Sequence, residues 1–194
     1  MFKGIDISNH QRTFDPNAQD FVLMKASEGK TYKDPLLDAH YNRLHGKTDG
    51  RPDSKKLYGF YHYARPENGN SAQAEADHFI SLVGHHAGHA IFALDFEGAA
   101  LRYGPVWPLA WLKRVFQRTG VRPLFYCSAS QTGRYAAIAR ENFGLWVAHY
   151  GVKRPAVRSW PFWAIWQTDA RGVDHDLFNG DKRAWQRYCR GERH

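Results

Sequence analysis

Ala90-Ile91-Phe92-Ala93-Leu94-Asp95-Phe96-Glu97-Gly98 is an apolar run that ends in two carboxylates spaced two residues apart. Read as a strand, its alternation puts Asp95 and Glu97 on one face and Phe96 on the other. Two acids that close raise at least one pKa, so one can stay protonated near neutral pH while the other is ionised. On this stretch alone, an acid beside an anion and a pair of solvated loop residues both remain open.

Outward from that run, strand and helix patterns alternate. Upstream, Gly4 to Ile7 predicts a first strand ending near Asp6, and Asp15 to Asp20 one helical turn with Pro16 at its first position. Phe21 to Lys25 predicts a second strand, with Lys25 an uncommon residue in such a run, and Pro35 to His45 shows helical spacing at 37, 41 and 44. A polar segment, 46–56, precedes a third, aromatic strand from Leu57 to Tyr63, and Ser71 caps a helix that runs to His85. Downstream of the acids, Pro105 to Thr119 reads as an amphipathic helix closed by Gly120, Pro123 to Cys127 as a strand, and Ser130 to Glu141 as a helix. The rhythm then changes. Leu145 to His149, Phe162 to Gln167 and Val173 to Phe178 are strand-like with little helix between them, and Asp181 to Cys189 predicts a closing helix.

Such alternation means parallel strands joined by crossover helices. Eight strands with the last helices missing predict a closed α/β barrel, in a chain of 194 residues. Sites in parallel barrels form at the C-terminal ends of strands, and Asp6, Lys25, His62, Asp95, Glu97, Trp146, Tyr150, Gln167 and Asp174 all lie at or near the ends so read. Closure brings the first and last strands together, so Asp6 and Asp174 are expected to flank the Asp95–Glu97 pair. Converging carboxylates suit glycoside hydrolysis, with one acid to protonate the leaving oxygen and one carboxylate to steady the developing positive charge. They also suit a magnesium or calcium site. Aromatic side chains that stack on sugar rings favour the first.

Composition sets the outer limits. With 43% hydrophobic and 15% aromatic residues the chain is globular, and its formal net charge of +8 favours a polyanionic partner such as a wall, a membrane surface or nucleic acid. One domain over 1–194 is expected, with no separate wall-binding domain. No apolar run approaches the length of a membrane span, and the N-terminus lacks the apolar core of a signal peptide. Cys127 and Cys189 fit neither zinc spacing nor a disulfide framework and read as free thiols.

The ordered motifs resemble those of the family 25 glycoside hydrolases, the Chalaropsis-type lysozymes, which cut the β-1,4 bond after N-acetylmuramic acid in peptidoglycan. The match is carried by Gly4-Ile-Asp6-Ile-Ser8, by Phe21-Val-Leu-Met-Lys25-Ala-Ser-Glu28-Gly29 and by Tyr58-Gly-Phe-Tyr-His-Tyr-Ala-Arg65. Leu94-Asp95-Phe96-Glu97, Leu145-Trp146-Val-Ala148-x-Tyr150, Trp166-Gln167 and Val173-Asp174 through Phe178 complete it. The resemblance implies a flattened TIM-like barrel of eight strands and about five helices, (β/α)5(β)3. It further implies that Glu97 is the general acid and later the base, and that Asp95 steadies a substrate-assisted intermediate. Asp6 and Asp174 would position substrate or water; Lys25, Tyr61, His62, Trp146, Tyr150 and Gln167 would bind the sugar. No metal and no cofactor are implied. The setting it implies is that of a phage endolysin, made in the cytoplasm and acting as a monomer on peptidoglycan after release. Two departures stand out, the polar segment 46–56 and His175-Asp176, where the family often has an apolar residue and Asn.

Other signals have plainer readings. His85-His86-x-x-His89 lacks the helical His-Glu-x-x-His arrangement of a zinc site. Basic residues among aromatics, as in Trp111-Leu-Lys-Arg114 and Trp185-Gln-Arg-Tyr-Cys-Arg190, fit amphipathic helices better than nucleic-acid contact. A wall-binding module of the same fold without catalysis is the alternative to a hydrolase, and the intact acids argue against it.

Overall fold

The computed structural model describes residues 1–45 and 56–192. Most of the polar segment 46–56 therefore lies outside the described residues. Eight strands close into a barrel: β1 (Phe2–Ile7), β2 (Phe21–Glu28), β4 (Leu57–Tyr63), β5 (Ile91–Asp95), β6 (Leu124–Ser128), β7 (Leu145–Ala148), β8 (Ile165–Asp169) and β9 (Asp174–Phe178). A two-residue strand, β3 (Tyr32–Lys33), adds antiparallel to the end of β2. Strands β1 to β8 of the barrel pair parallel, and closure comes from β1 pairing with both β2 and β9. β9 differs from the all-parallel expectation, being antiparallel to β8 and to β1. The segment between β8 and β9 is too short for a crossover helix, so the chain can only turn back.

Among the described residues five α-helices accompany the barrel: α1 (Leu37–His45), α2 (Ala72–Val83), α3 (Val106–Thr119), α4 (Ala136–Arg140) and α5 (Lys182–Cys189). Ser71 Oγ accepts from Ala74 N at the start of α2, and Gly120 in the left-handed region ends α3. The Asp15–Asp20 turn is a 3-10 turn, Pro16–Ala18. The continuous helix expected over 130–141 is instead a 3-10 turn, Ala129–Gln131, and the short α4. Buried Thr132 donates its hydroxyl to Ala129 O at 2.8 Å, a local bond that competes with helix continuation, and Gly133 follows.

Alternation along each strand makes two cores. One face packs outward under α1 to α4 through Val22, Phe60, Phe92, Leu94, Phe125 and Val147 against Phe79, Trp111 and Val115. The other fills the barrel with Leu23, Tyr61, Ala93, Tyr126, Trp146 and Ile165. Its floor is closed by α5, whose Trp185 lies 5.0 Å from Phe21 and 4.9 Å from Phe178 between ring centroids. Gly4 is required beside this floor, because a Cβ there would stand 2.6 Å from the Phe21 ring. Trp111 and Trp185 are both buried, so the aromatics of the two basic–aromatic motifs serve the core. Cys127 and Cys189 are buried free thiols.

Candidate active site

Strand parity decides which ends face the barrel mouth. Asp95, the last residue of β5, continues the inward series Ile91, Ala93 and pairs in register with Tyr63 on β4 and Tyr126 on β6. Phe96 turns outward and is fully buried against Trp107, Phe125 and Tyr135. Glu97 stays extended, and the chain bends into a 3-10 turn at once through Gly98, whose φ of 56° is left-handed. Both acids therefore hang over the same mouth, Asp95 buried and Glu97 half-buried.

Asp6 and Asp174 reach that mouth by opposite routes. Asp6 ends a strand that points toward it, while Asp174 begins β9, which runs the other way. Antiparallel pairing sets the two directly opposite in register. The expectation that Asp174 sits at a C-terminal strand end is corrected: its strand's N-terminal end is the one at the mouth.

Gln167 organises the side chains on this flank. Its Nε2 donates to Asp6 Oδ2 at 2.7 Å, and its Oε1 accepts from Tyr126 at 2.9 Å and from Tyr150 at 2.6 Å. Tyr150 is exposed at the rim, and Tyr61 faces inward below Asp6 and Asp95. Trp146 is fully buried, packed on Tyr126 and Tyr61, and its Nε1 donates to Asp176 Oδ1 at 2.9 Å, so it presents no face to the mouth. On the other flank Lys25 binds Glu28 at 2.6 Å, and Glu28 also accepts from Arg65 Nε at 2.6 Å. Tyr63 lies between the two cations, 4.9 Å from Lys25 Nζ and 4.6 Å from the Arg65 guanidinium.

His62 is the predicted site residue that the structure removes. Because Tyr61 faces in, its neighbour faces out, and His62 is fully buried between β4 and α2. Its Nδ1 meets Ser27 Oγ at 2.8 Å and its Nε2 meets Glu75 Oε2 at 2.8 Å, with the ring stacked on Trp111. Glu75 also accepts from Asn70 Nδ2 and from the backbone N–H of Arg65. The network thus holds the turn that carries Arg65. Replacing His62 by Leu strips Glu75 of one partner inside the core and is expected to cost about 3 kcal/mol of stability. Urea unfolding checks this; a cost below about 1 kcal/mol would mean that the network is not a structural one.

Electrostatics at the mouth are dominated by crowded carboxyls. Burial, then Asp174, pushes Asp6 up to about 7, with Gln167 and Asp176 bonds pulling back. Burial, then Glu97 and Asp6, holds Asp95 well above the usual carboxylate range, and its Oδ1 is buried without a partner among the described residues. Glu97 is raised by burial and by Asp174, against Lys25 and Arg65. Asp174 is raised by burial. Glu28 goes the other way: burial would raise it, but the Lys25 and Arg65 hydrogen bonds win and lower it. A fixed ion cluster on β2 and at the end of β4 is therefore flanked by β1 and β5, whose carboxyls bind protons more tightly than free ones. Such a site can donate a proton and steady a cation at one place.

Reasoning from sequence did not single out Glu28, Tyr63, Arg65, Tyr126 or Asp176 as site residues. Tyr63 and Tyr126 were accessible through parity with Tyr61 and Asp95. Glu28 was not, because a bulge between Lys25 and Ser27 shifts the register of β2 and returns both Lys25 and Glu28 to the mouth. His85, His86 and His89 lie away from the mouth, at the edge of α5. His86 packs at 4.8 Å against both Tyr41 and Phe60, and burial followed by the neighbouring histidines lowers its pKa to about 4. Among the described residues no three His, Cys, Asp or Glu are grouped to hold a metal.

Comparison with known proteins places these features in a group. The family model described as glycosyl hydrolases family 25 matches residues 5–177. "Lysozyme M1" of Streptomyces globisporus is 31% identical over 208 residues, covering 92% of this chain and 68% of that protein. The crystal structure of the bacterial lysozyme from Streptomyces coelicolor superposes with a TM-score of 0.82 at 27% identity, covering 97% of each chain. The CTP1L endolysin structure gives a TM-score of 0.72 at 26% identity, over 98% of this chain and 70% of that one.

Proposed function

The chain belongs to family 25 of the glycosyl hydrolases, and from that premise we propose that it is a muramidase that cleaves the β-1,4 bond between N-acetylmuramic acid and N-acetylglucosamine in peptidoglycan. It is a glycoside hydrolase; the linkage and the roles of its residues are our reading. The observation that carries the reading is the meeting of Asp6, Asp95, Glu97 and Asp174 at one barrel mouth, linked by their mutual effect on one another's protons.

Glu97, half-buried at the rim with its pKa raised, acts as the acid that protonates the glycosidic oxygen and afterwards as the base that activates water. Asp95 lies deeper and on the same side of the mouth. Its two-residue spacing from Glu97 fits a stabiliser beside an acid better than a nucleophile facing an acid across the sugar. In the free enzyme the deeper Asp95 has the stronger hold on a proton. An acetamido N–H of the substrate delivered to Asp95 favours its carboxylate and leaves the proton of the pair on Glu97. The substrate's own acetamido oxygen then attacks the anomeric carbon as Glu97 releases the leaving sugar. Asp6 and Asp174 orient water or substrate opposite, with Tyr150, Tyr61, Gln167 and Lys25 lining the approach.

We take the chain as one catalytic domain that acts as a monomer. Its setting, on this reading, is lysis of a bacterial wall after cytoplasmic synthesis, as by a phage endolysin; the likeness to the CTP1L endolysin supports this. The test is digestion of purified peptidoglycan followed by mass spectrometry of the reduced products. New reducing ends on N-acetylmuramic acid are expected. Reducing ends on N-acetylglucosamine would overturn the linkage, and wall binding without new ends would favour a non-catalytic module.

A further inference from the structure

Asp176 is a buried carboxyl that the reaction above does not use. It lies one inward step deeper than Asp174 on β9, opposite Gly4 in register, and is 2% exposed. Trp146 donates to its Oδ1, while its Oδ2 is buried and receives no bond from any N–H or O–H donor among the described residues. Asp6 is its diagonal neighbour across the β1–β9 pairing, in which Asp6 stands opposite Asp174 and Gly4 opposite Asp176, and the two carboxyls act directly on one another. Two ionised carboxylates are acceptors only, so they repel; they bond when one of them carries a proton.

The surroundings decide which one carries it. Asp6 already receives the Gln167 amide at 2.7 Å, and Gln167 is held in that orientation by the hydroxyls of Tyr126 and Tyr150 on its Oε1. Among the described residues Asp176 receives only the indole. The groups that face Asp176 are Asp6 from β1, Asp174 from its own strand, Trp146 from β7, Gln167 from β8 and Tyr150 beyond β7. The negative charge is better satisfied on Asp6.

We propose that Asp176 is a positioning residue that keeps its proton and donates it to Asp6 in a hydrogen bond, so that the pair carries a single negative charge held on Asp6. Burial, followed by Asp6, holds the Asp176 carboxyl well above the usual range, in keeping with that arrangement. Without the proton the two carboxylates would push apart, and Asp6 would lose its place opposite Asp174.

Two substitutions separate this role from simple packing. Asp176→Asn replaces the O–H donor by an N–H donor and keeps an acceptor for Trp146; Asp176→Leu removes both. At neutral pH the infrared difference between wild type and Asp176→Asn is expected to show one neutral-carboxyl carbonyl band that the variant lacks. An unfolded Asp ionises near its ordinary value of about 3.8 whereas the folded one keeps its proton, so folding takes up a proton above that pH. Wild-type stability therefore falls with rising pH through a contribution that Asp176→Asn does not have, and the melting-temperature gap should widen in the variant's favour from about pH 4 to about pH 8. Wall clearing should stay within about twofold of wild type in Asp176→Asn and drop about tenfold or more in Asp176→Leu, the loss of one charge-assisted bond. A carboxylate band in place of the neutral one, a constant melting gap, or an Asn variant as impaired as the Leu variant would each overturn the proposal. The infrared and melting measurements need no substrate, so they hold or fail separately from the muramidase reading on which the activity arm rests.

Discussion

Glu97→Gln is expected to slow wall clearing by about 10³-fold while leaving the barrel folded. The size follows from removing the group that gives a proton to the leaving oxygen and later takes one from water. Gln keeps the shape of the side chain but has no proton to exchange. The fold should not suffer, because no hydrogen bond of the described residues uses the Glu97 side chain, which sits half-buried at the rim. Its raised pKa also sets the sign of the stability effect. A carboxyl whose folded pKa lies above its unfolded value loses stability as pH rises between the two, so the Gln variant should melt at or above wild type at neutral pH. Turbidity loss of a wall suspension and a melting curve check both halves. Retention of more than about a tenth of the wild-type rate would remove Glu97 from the acid role.

Asp95→Asn should cost about 10²- to 10³-fold in the same assay, the scale of a lost electrostatic stabiliser in a dry site. Here the stability change should have the same sign and be larger. Asp95 is buried, raised well above the carboxylate range by burial and by Glu97 and Asp6, and has an oxygen without a partner among the described residues. Folding takes up a proton at this position at any pH above the unfolded value of about 3.8 and below the folded one. The Asn variant does not pay this penalty, so its melting temperature should exceed wild type by a margin that grows as pH rises from about 4. Such a trade of stability against activity is common where a site buries charge for its chemistry. An Asn variant that is both inactive and less stable at neutral pH would mean that Asp95 holds the mouth together instead of serving the reaction.

Much of this architecture is legible in local order. The apolar alternation of 90–98, the Ser71 cap, the Gly120 stop and the change of rhythm after 141 lead to a closed barrel with few late helices, and the structure has one. The inward direction of Asp95 is equally local, since Phe96 must then face out. His62 was misread for the same reason that Tyr61 was read correctly. Adjacent residues of a regular strand cannot both face the mouth, and the polar character of His62 serves Ser27 and Glu75 behind the sheet.

What local order could not decide was which groups touch. The bulge in β2 that brings Glu28 beside Lys25 depends on how β2 pairs with β4. The placement of Asp174 depends on the reversal of β9, a consequence of a short connection and of barrel closure. The bond from Gln167 to Asp6 spans 161 residues. Period and capping are properties of neighbours along the chain, so the sequence determines the strands, the helices and the faces they present. Proton affinities depend on burial and on charges brought together by closure, so only the tertiary structure decides that Asp95 and Asp176 bind protons more tightly than a free carboxyl where Glu28 binds one less tightly.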